Sequence, residues 1–550
     1  MNNTQGSGYV ELTTVYRELV RWRVRPSFTQ IASGPQGRIS YQVGSQIQDP
    51  IDSHLLEERE NGKEVKIYRL PRYMKKISPD DFEPYELRVG FYCHTSLEVD
   101  DDPMAMDISK VAILNEFCRG PVPDGPPSQS QSTDRPIRQE AWSDLVNKIG
   151  TDTMTKVRSK YDRLNPANED SMKRENSLVI LDALFIVAFF QYEYDFSDTW
   201  GYNFESVFIR SRFTAQRFTI LRDLLMLENQ VPMPLLLEMI KCIRRPSMSD
   251  PAETMLQNIL EWFVMAIYPF NHGVKLDRPK DLQQHLGSSH RRGLNSFLRC
   301  DHLLQCAYLA ICGPPADNSS PGEQVRSRCY GDSQLLPCFR RGNRDDDSVH
   351  RNKFRVPSAT SLRRVGIKVR VRDDSLTMAS IKFFRQKHKF VLWHEYVLLV
   401  PKLIMNDDTA SVFRNIGMYE QIKDDSYTVR GDMRTYLYLM SSLLDTVQDV
   451  QMLINSGVIV NQLGSAEAVC KKWNHMCDGF YIPVNPPPYW YDLQKRISDL
   501  ERSKSNKWFH EFRHRNLSSA VVLLSFIVVS MVVVAAFVQA IFSVLSYLKQ

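Results

Sequence analysis

The sequence predicts a mainly α-helical protein of the α+β class, with a multi-helix body, a small β-sheet in its C-terminal half and a C-terminal transmembrane helix. Three observations carry this. Long apolar segments between residues 139 and 312 recur at helical spacing and are separated by turn residues. In VGIKVRVR (365–372), Val365, Ile367, Val369 and Val371 alternate with Gly366, Lys368, Arg370 and Arg372, the period of a half-buried strand. Residues 517–548 contain no charged side chain. A bilayer core asks for about 20 apolar residues in helical form, because every backbone polar group must be satisfied within the segment.

Composition narrows the function classes. The chain has 550 residues, 43% of them hydrophobic and 24% charged, which is ordinary for globular protein. A net charge of +5 is small for this size and argues against a nucleic-acid partner. Ten cysteines in so long a chain do not make a disulfide framework. The opening MNNTQGSGYVELTT lacks the basic-then-apolar plan of a secretory signal. Lys504, Lys507, Arg513 and Arg515 precede the apolar run and Lys549 follows it. That asymmetry predicts a single-pass, tail-anchored membrane protein with a cytosolic body.

Taken in order, residues 1–60 are polar and weakly periodic, with a helix expected over 10–22; the segment reads as variable and partly disordered. Prolines 71, 79 and 84 break 65–94 into turns and extended pieces. A helix is expected over 104–117, where Ile108, Val111, Ala112 and Leu114 share helical spacing. The stretch 119–136 is rich in Pro, Gly, Ser and Gln and reads as a flexible insertion. Helices follow over 141–149, 177–190, 213–227, 234–243, 251–268 and 302–311. The segment at 177–190 is nearly all apolar, yet it is short for a membrane span and contains Asp182, so it reads as the central helix of a soluble core.

Residues 312–355 form a second long insertion of mixed charge and turn residues. Strands are expected at 365–372 and 389–400, then helices over 410–420, 435–456, 466–476 and 491–503. The organisation is therefore a body over 61–503 with insertions at 119–136 and 312–355, a basic juxtamembrane segment at 504–516 and a membrane helix at 517–548.

The block LRDLLMLENQVPMPLLLEMI (221–240) resembles the signature of a plant family named only as domain of unknown function two-four-seven. IYRLPRYMKKISPDDFEPYELRVGFYCH (67–94), SATSLRRVGIKV (358–369), DDTASVFRNIGMYEQ (407–421) and SGVIVNQLGSAEAVCKKWNHMC (456–477) are similar to further blocks of that family, in the same order. The resemblance implies a single-pass plant membrane protein without an established enzyme activity. Some grass members are similar to candidates for the pollen-side determinant of self-incompatibility, a role in recognising a partner protein. This chain departs from the family where a Gly-Pro-Tyr-His turn is usual: it reads Gly90-Phe91-Tyr92-Cys93-His94, which leaves the role of His94 open.

The candidate site residues are polar positions inside these blocks: Asp182, Asp223, Glu228, Asn229, Gln230, Arg414 and Glu420. Glu228, Asn229 and Gln230 either face a ligand or tie together a helix–helix corner, with Asn229 at a helix C-cap and Pro234 beginning the next helix. The simpler account of Arg414, Glu420 and Gln421 is a helix-surface or interhelical ion pair. His302 with Cys306, and Cys470 with His475 and Cys477, lack the paired spacing of zinc sites. No GxSxG elbow, phosphate loop or dinucleotide fingerprint is present. No cofactor is expected. The leading expectation is a non-enzymatic module bound to the membrane and to a protein partner. The competing expectation is a membrane-bound enzyme whose pocket gathers Asp182, Asp223 and Glu228 in an open cleft.

Overall fold

The computed structural model describes residues 66–95, 105–121, 136–138, 140–164, 168–194, 202, 204, 206–244, 251–267, 299–312, 356–372, 381–387, 394–424, 431–481, 483, 486–502 and 520–548. The expectations for 1–60 and for the juxtamembrane residues 504–516, with Lys504, Lys507, Arg513 and Arg515, lie outside the described residues. So do most of 119–136 and all but the first residue of 312–355.

In chain order the helices are α1 (Arg72–Ile77), α2 (Phe91–Thr95), α3 (Ala105–Cys118), α4 (Glu140–Arg158), α5 (Glu169–Tyr194), α6 (Val207–Asp223), α7 (Met233–Ile243), α8 (Ala252–Ile267), α9 (Leu303–Cys312) and α10 (Ala359–Arg364). Strands β1 (Ile367–Arg372), β2 (Lys382–Lys387), β3 (His394–Pro401) and β4 (Leu403–Met405) follow. Then come α11 (Thr409–Asp424), α12 (Asp432–Leu443), α13 (Val447–Asn455), β5 (Ile459–Asn461), α14 (Ala466–Asn474), α15 (Pro488–Arg502) and α16 (Ala520–Leu548). The fold is mainly helical with a small mixed sheet in the C-terminal half, as the sequence predicts.

The chain divides into two compact units. The first comprises Met1–Asn318, Asp408–Met433 and Asp478–Tyr481. Its axis is α5, which packs against α2, α3, α4, α6, α7 and α8. Apolar residues surround this helix on all sides from Leu178 to Phe190, so it has no solvent face to offer, and Phe185, Ile186 and Phe189 are fully buried. Phe185 and Phe189 meet the edge of Phe213 on α6 at 5.5 and 5.2 Å between ring centres. Each such side chain contributes roughly 1.5–3 kcal/mol by leaving water. The helix is long and apolar enough to cross a membrane, but 89% of its most apolar stretch is covered by the rest of the protein. It is a core helix, in agreement with the sequence reading.

The second unit comprises Ser319–Asp407, Arg434–Cys477 and Ile482–Gln550. It holds a three-stranded sheet of order β1-β3-β2, parallel between β1 and β3 and antiparallel between β2 and β3. Ile367 and Val369 face inward while Lys368 and Arg370 are exposed, which is the alternation of VGIKVRVR realised. A parallel pair, β4 with β5, lies separately.

The structure departs from or adds to the local expectations in four places. The stretch 65–94 is not simply turns: Pro71 precedes α1 and Pro79 opens a 3-10 turn, because proline suits the first position of a helix as well as the end of one. The helix expected over 435–456 is two helices, because Thr446 and Asp449 form a reciprocal capping box that starts α13 afresh. The strand expected over 389–400 is present from His394 on, residues 389–393 lying outside the described residues, and β2 was not anticipated; its Phe383 stacks on Tyr396 of β3 at 6.0 Å. Finally, α6 ends at Asp223, so Asn229 is not its C-cap; Leu224 is.

Candidate functional site

Five of the predicted polar residues gather around the turn that joins α6 to α7, Asp182, Asp223, Asn229 and Gln230 buried and Glu228 half-buried. Pro232 stops the chain before α7 and Pro234 sits in that helix's first turn, so the intervening residues 224–231 need partners for their backbone groups. Glu228, Asn229 and Gln230 supply them, each toward a different part of the chain. Glu228 accepts the Leu70 N–H at 2.8 Å and pairs with the Lys75 ammonium at 2.9 Å, holding the start of α1. Asn229 accepts the Val89 N–H at 2.6 Å and donates to the carbonyls of Leu87 and Asp223, both at 2.8 Å. Gln230 donates to the carbonyls of Leu224 and Met226 at 2.7 and 2.8 Å, satisfying the frayed end of α6. Its oxygen accepts the Leu304 N–H at 3.0 Å, which caps α9 from outside that helix.

Asp223 completes the same corner. Its carboxylate accepts the amides of Tyr85, Glu86 and Leu87 at 3.0, 2.8 and 2.9 Å and the Arg222 guanidinium at 2.8 Å. Burial pushes this carboxyl up from its ordinary range, and the three amides and Arg222 pull the other way without cancelling it. Arg222 also donates to the carbonyls of Glu83 and Asp80 and to the Ser411 hydroxyl, each at 3.1 Å, while its guanidinium carbon lies 3.4 Å from the ring centre of Tyr85.

Asp182 is fully buried in α5. One oxygen accepts the Gly90 amide at 2.9 Å and contacts His94 Nε2 at 2.7 Å; the other pairs with the Lys110 ammonium of α3 at 2.9 Å. Burial alone would raise this carboxyl, but Lys110 and His94 outweigh it and hold it below the usual carboxylate range. Lys110 is raised in turn: burial opposes its charge, and Asp182 and Asp107 more than restore it. His94 therefore has a defined contact even though the proline of the family's turn is missing. Gly90 takes a φ of +82°, and a Cβ there would run into the Gln230 carbonyl and lie 2.8 Å from the Tyr161 hydroxyl.

Arg414 and Glu420 are buried in α11, so the helix-surface alternative does not hold, whereas Arg414 does pair with a residue of another element. Arg414 pairs with Asp81 at 3.2 Å and donates to the Asp478 carbonyl at 3.1 Å. Glu420 accepts the Met433 N–H at 2.8 Å, capping the first turn of α12. Asn415, which the sequence reading did not single out, accepts the Leu227 N–H at 2.7 Å and donates to the Asp81 carbonyl at 2.8 Å.

The arrangement has limited chemical scope. Asp182, Asp223 and Glu228 do not form the open cleft that the enzyme expectation required; each carboxylate is engaged by backbone amides, a cation or both. Burial lifts the Cys93 thiol to about 12 and Cys118 to about 11, so neither is a thiolate at neutral pH. His302 contacts the Lys66 carbonyl through Nε2 at 3.0 Å and accepts the Gln305 N–H on Nδ1 at 3.3 Å, which occupies both ring nitrogens. Burial brings it down to about 3, keeping it neutral. Among the described residues no group of three His, Cys, Asp or Glu side chains is placed to hold a metal ion.

Fold and site together define a class: a helical body cross-linked by buried polar side chains, with a separate apolar helix at residues 520–548. The chain belongs to the plant family of domain of unknown function 247, whose model, described as plant protein of unknown function, matches residues 67–535. It is similar to UPF0481 protein At3g47200 of Arabidopsis thaliana, 28% identical over 198 residues, which are 35% of this chain and 38% of that protein. It is also similar to Putative UPF0481 protein At3g02645 of Arabidopsis thaliana, 20% identical over 519 residues, or 84% of this chain and 86% of that protein. No solved structure matches it.

Proposed function

We propose that this protein is a non-enzymatic recognition module held on a membrane by α16, with its body on the cytosolic side. The observation that carries the reading is α16 itself: Ile527–Ser546 is long and apolar enough to cross a bilayer, and none of it is buried against the protein. An apolar surface of this extent calls for a lipid environment. The basic residues Lys504, Lys507, Arg513 and Arg515 before it favour a cytosolic body. The inward orientation of the polar signature supports a scaffold rather than a catalyst. Confinement to a surface raises the effective concentration of the body for partners on the same membrane. Partner choice then rests on the variable pieces, residues 1–60, 119–136 and 312–355. Pollen–pistil self-incompatibility or signalling is the setting that the family resemblance suggests.

Expression of the full chain in plant cells tests this. The protein is expected to resist alkaline carbonate extraction and to lose its body to protease added outside sealed microsomes. An endoglycosidase-sensitive shift that disappears in Asn318→Gln, the acceptor of Asn318-Ser319-Ser320, would instead place the body in the lumen or outside the cell and overturn the cytosolic topology.

A further inference from the structure

We infer that α16 pairs with α16 of a second copy of this chain inside the bilayer, through Gln539. The inference rests on the membrane-anchored reading above. Gln539 lies twelve residues beyond Ile527 and seven short of Ser546, so at ~1.5 Å per residue it is about 10 Å or more inside either end of the apolar span. It is exposed on the helix. In hydrocarbon no water reaches its carboxamide, and the backbone groups around it are consumed in the helix's own hydrogen bonds. A polar side chain in that position must find a partner within the membrane.

The surface around Gln539 is built for close approach. At about 100° per residue, Ser525, Val528, Val532, Ala535, Ala536, Ser543 and Ser546 fall with Gln539 within roughly 100° of the helix circumference, and of these Ala535, Ala536 and Ser543 are the ones within one turn of Gln539. Phe537, Ile541 and Leu548 point to the opposite side, where Ser530 is the one polar residue. Small side chains let two helix backbones approach, and a polar residue at their centre joins them. A carboxamide both donates and accepts, so it complements a copy of itself. A two-fold axis beside Gln539 places each amide oxygen against the other amide's N–H groups. A second copy thus carries the matching donor and acceptor at the same depth in the bilayer, with no other polar residue required.

The test uses the full chain, carrying either of two fluorescent tags and reconstituted together in phosphatidylcholine vesicles over a range of protein-to-lipid ratios. Energy transfer that falls as lipid is added is expected for the natural chain. Gln539→Leu should shift that dilution curve roughly 3- to 30-fold toward weaker association. Gln539→Asn, which keeps the amide, should recover most of it, and Phe537→Leu on the other face should leave it unchanged. Flotation of each variant with the vesicles reports insertion separately. A natural chain that floats without energy transfer, or a Gln539→Leu curve that overlays the natural one, overturns the pairing and leaves the anchor standing. A chain that does not float overturns the anchor and the pairing with it. Capture of an unlike membrane protein through Gln539, without self-transfer, overturns the second copy as partner.

Discussion

Asn229 accepts the N–H of Val89 at 2.6 Å and returns a hydrogen bond to the carbonyl of Leu87 at 2.8 Å. One side-chain amide thus does for residues 87–89 what a neighbouring strand's backbone would do. Asn229→Ala leaves those two buried groups and the Asp223 carbonyl without it, and each such loss costs about 1–3 kcal/mol. A total destabilisation of ~3 kcal/mol or more is expected in urea, with the slope of the transition unchanged. A loss below ~1 kcal/mol would show that residues 87–89 are held by other contacts.

Gly90 and Gly150 separate strain from crowding. Both have positive φ, +82° and +76°, but a Cβ at Gly90 collides with Gln230 and Tyr161 whereas a Cβ at Gly150 meets nothing within 4 Å. Gly150, with ψ at 157°, lies in a backbone region kept almost entirely for glycine, so Gly150→Ala should cost about 1–3 kcal/mol in backbone strain alone. Gly90→Ala should cost ~1–3 kcal/mol more through overpacking. Paired melting curves decide it, and equal losses would remove the role given to the close approach.

His302 makes the first unit sensitive to mild acid. Its folded pKa, brought down to about 3, lies below the unfolded value near 6.5, so the unfolded chain binds the extra proton first. Stability contributed by the neutral ring is complete above about pH 6.5 and falls by about 1.4 kcal/mol per pH unit as pH drops toward 3. His302→Gln, which can still donate to the Lys66 carbonyl, should flatten the slope between pH 6 and about 4.5. Asp182 acts in a lower window: its depressed carboxyl stabilises above the unfolded value near 4 and loses that contribution as pH falls further.

Arg222 joins Asp80, Glu83, Asp223 and Ser411 through a fork that an ammonium cannot reproduce. Arg222→Lys should cost about 2–4 kcal/mol and speed amide exchange at Tyr85, Glu86 and Leu87, whose N–H groups Asp223 holds. Unchanged exchange at these three amides would mean that Asp223 keeps its place without Arg222.

Much of the fold was legible because it is written locally. The apolar run from Leu178 to Phe190, the alternation in β1 and the prolines around α7 each set a conformation through residues close in sequence. The site was legible only as a list of polar positions. Asp182 inside an apolar helix announced a buried charge, but nothing at Lys110, Asn415 or His94 said that they would be among the residues that fix this site. Lys110 in particular sits within an apolar stretch of α3, where a lysine can equally well reach solvent. Where local reading failed, as at the break between α12 and α13, a capping box overrode a continuous helical pattern.

By itself the sequence determined the helical class, the inward and outward faces of β1 and the apolar character of α16. Each of these follows from the spacing or solvation of neighbouring side chains. Only the tertiary structure decided what the polar signature does. Glu228 reaches Leu70 across 158 residues of chain, Asn229 reaches Val89 across 140, and Asp182 reaches Gly90 across 92. A buried hydrogen-bonding group must be satisfied, but the sequence does not state by which partner. Packing around α5 makes that choice when it brings the distant segments together.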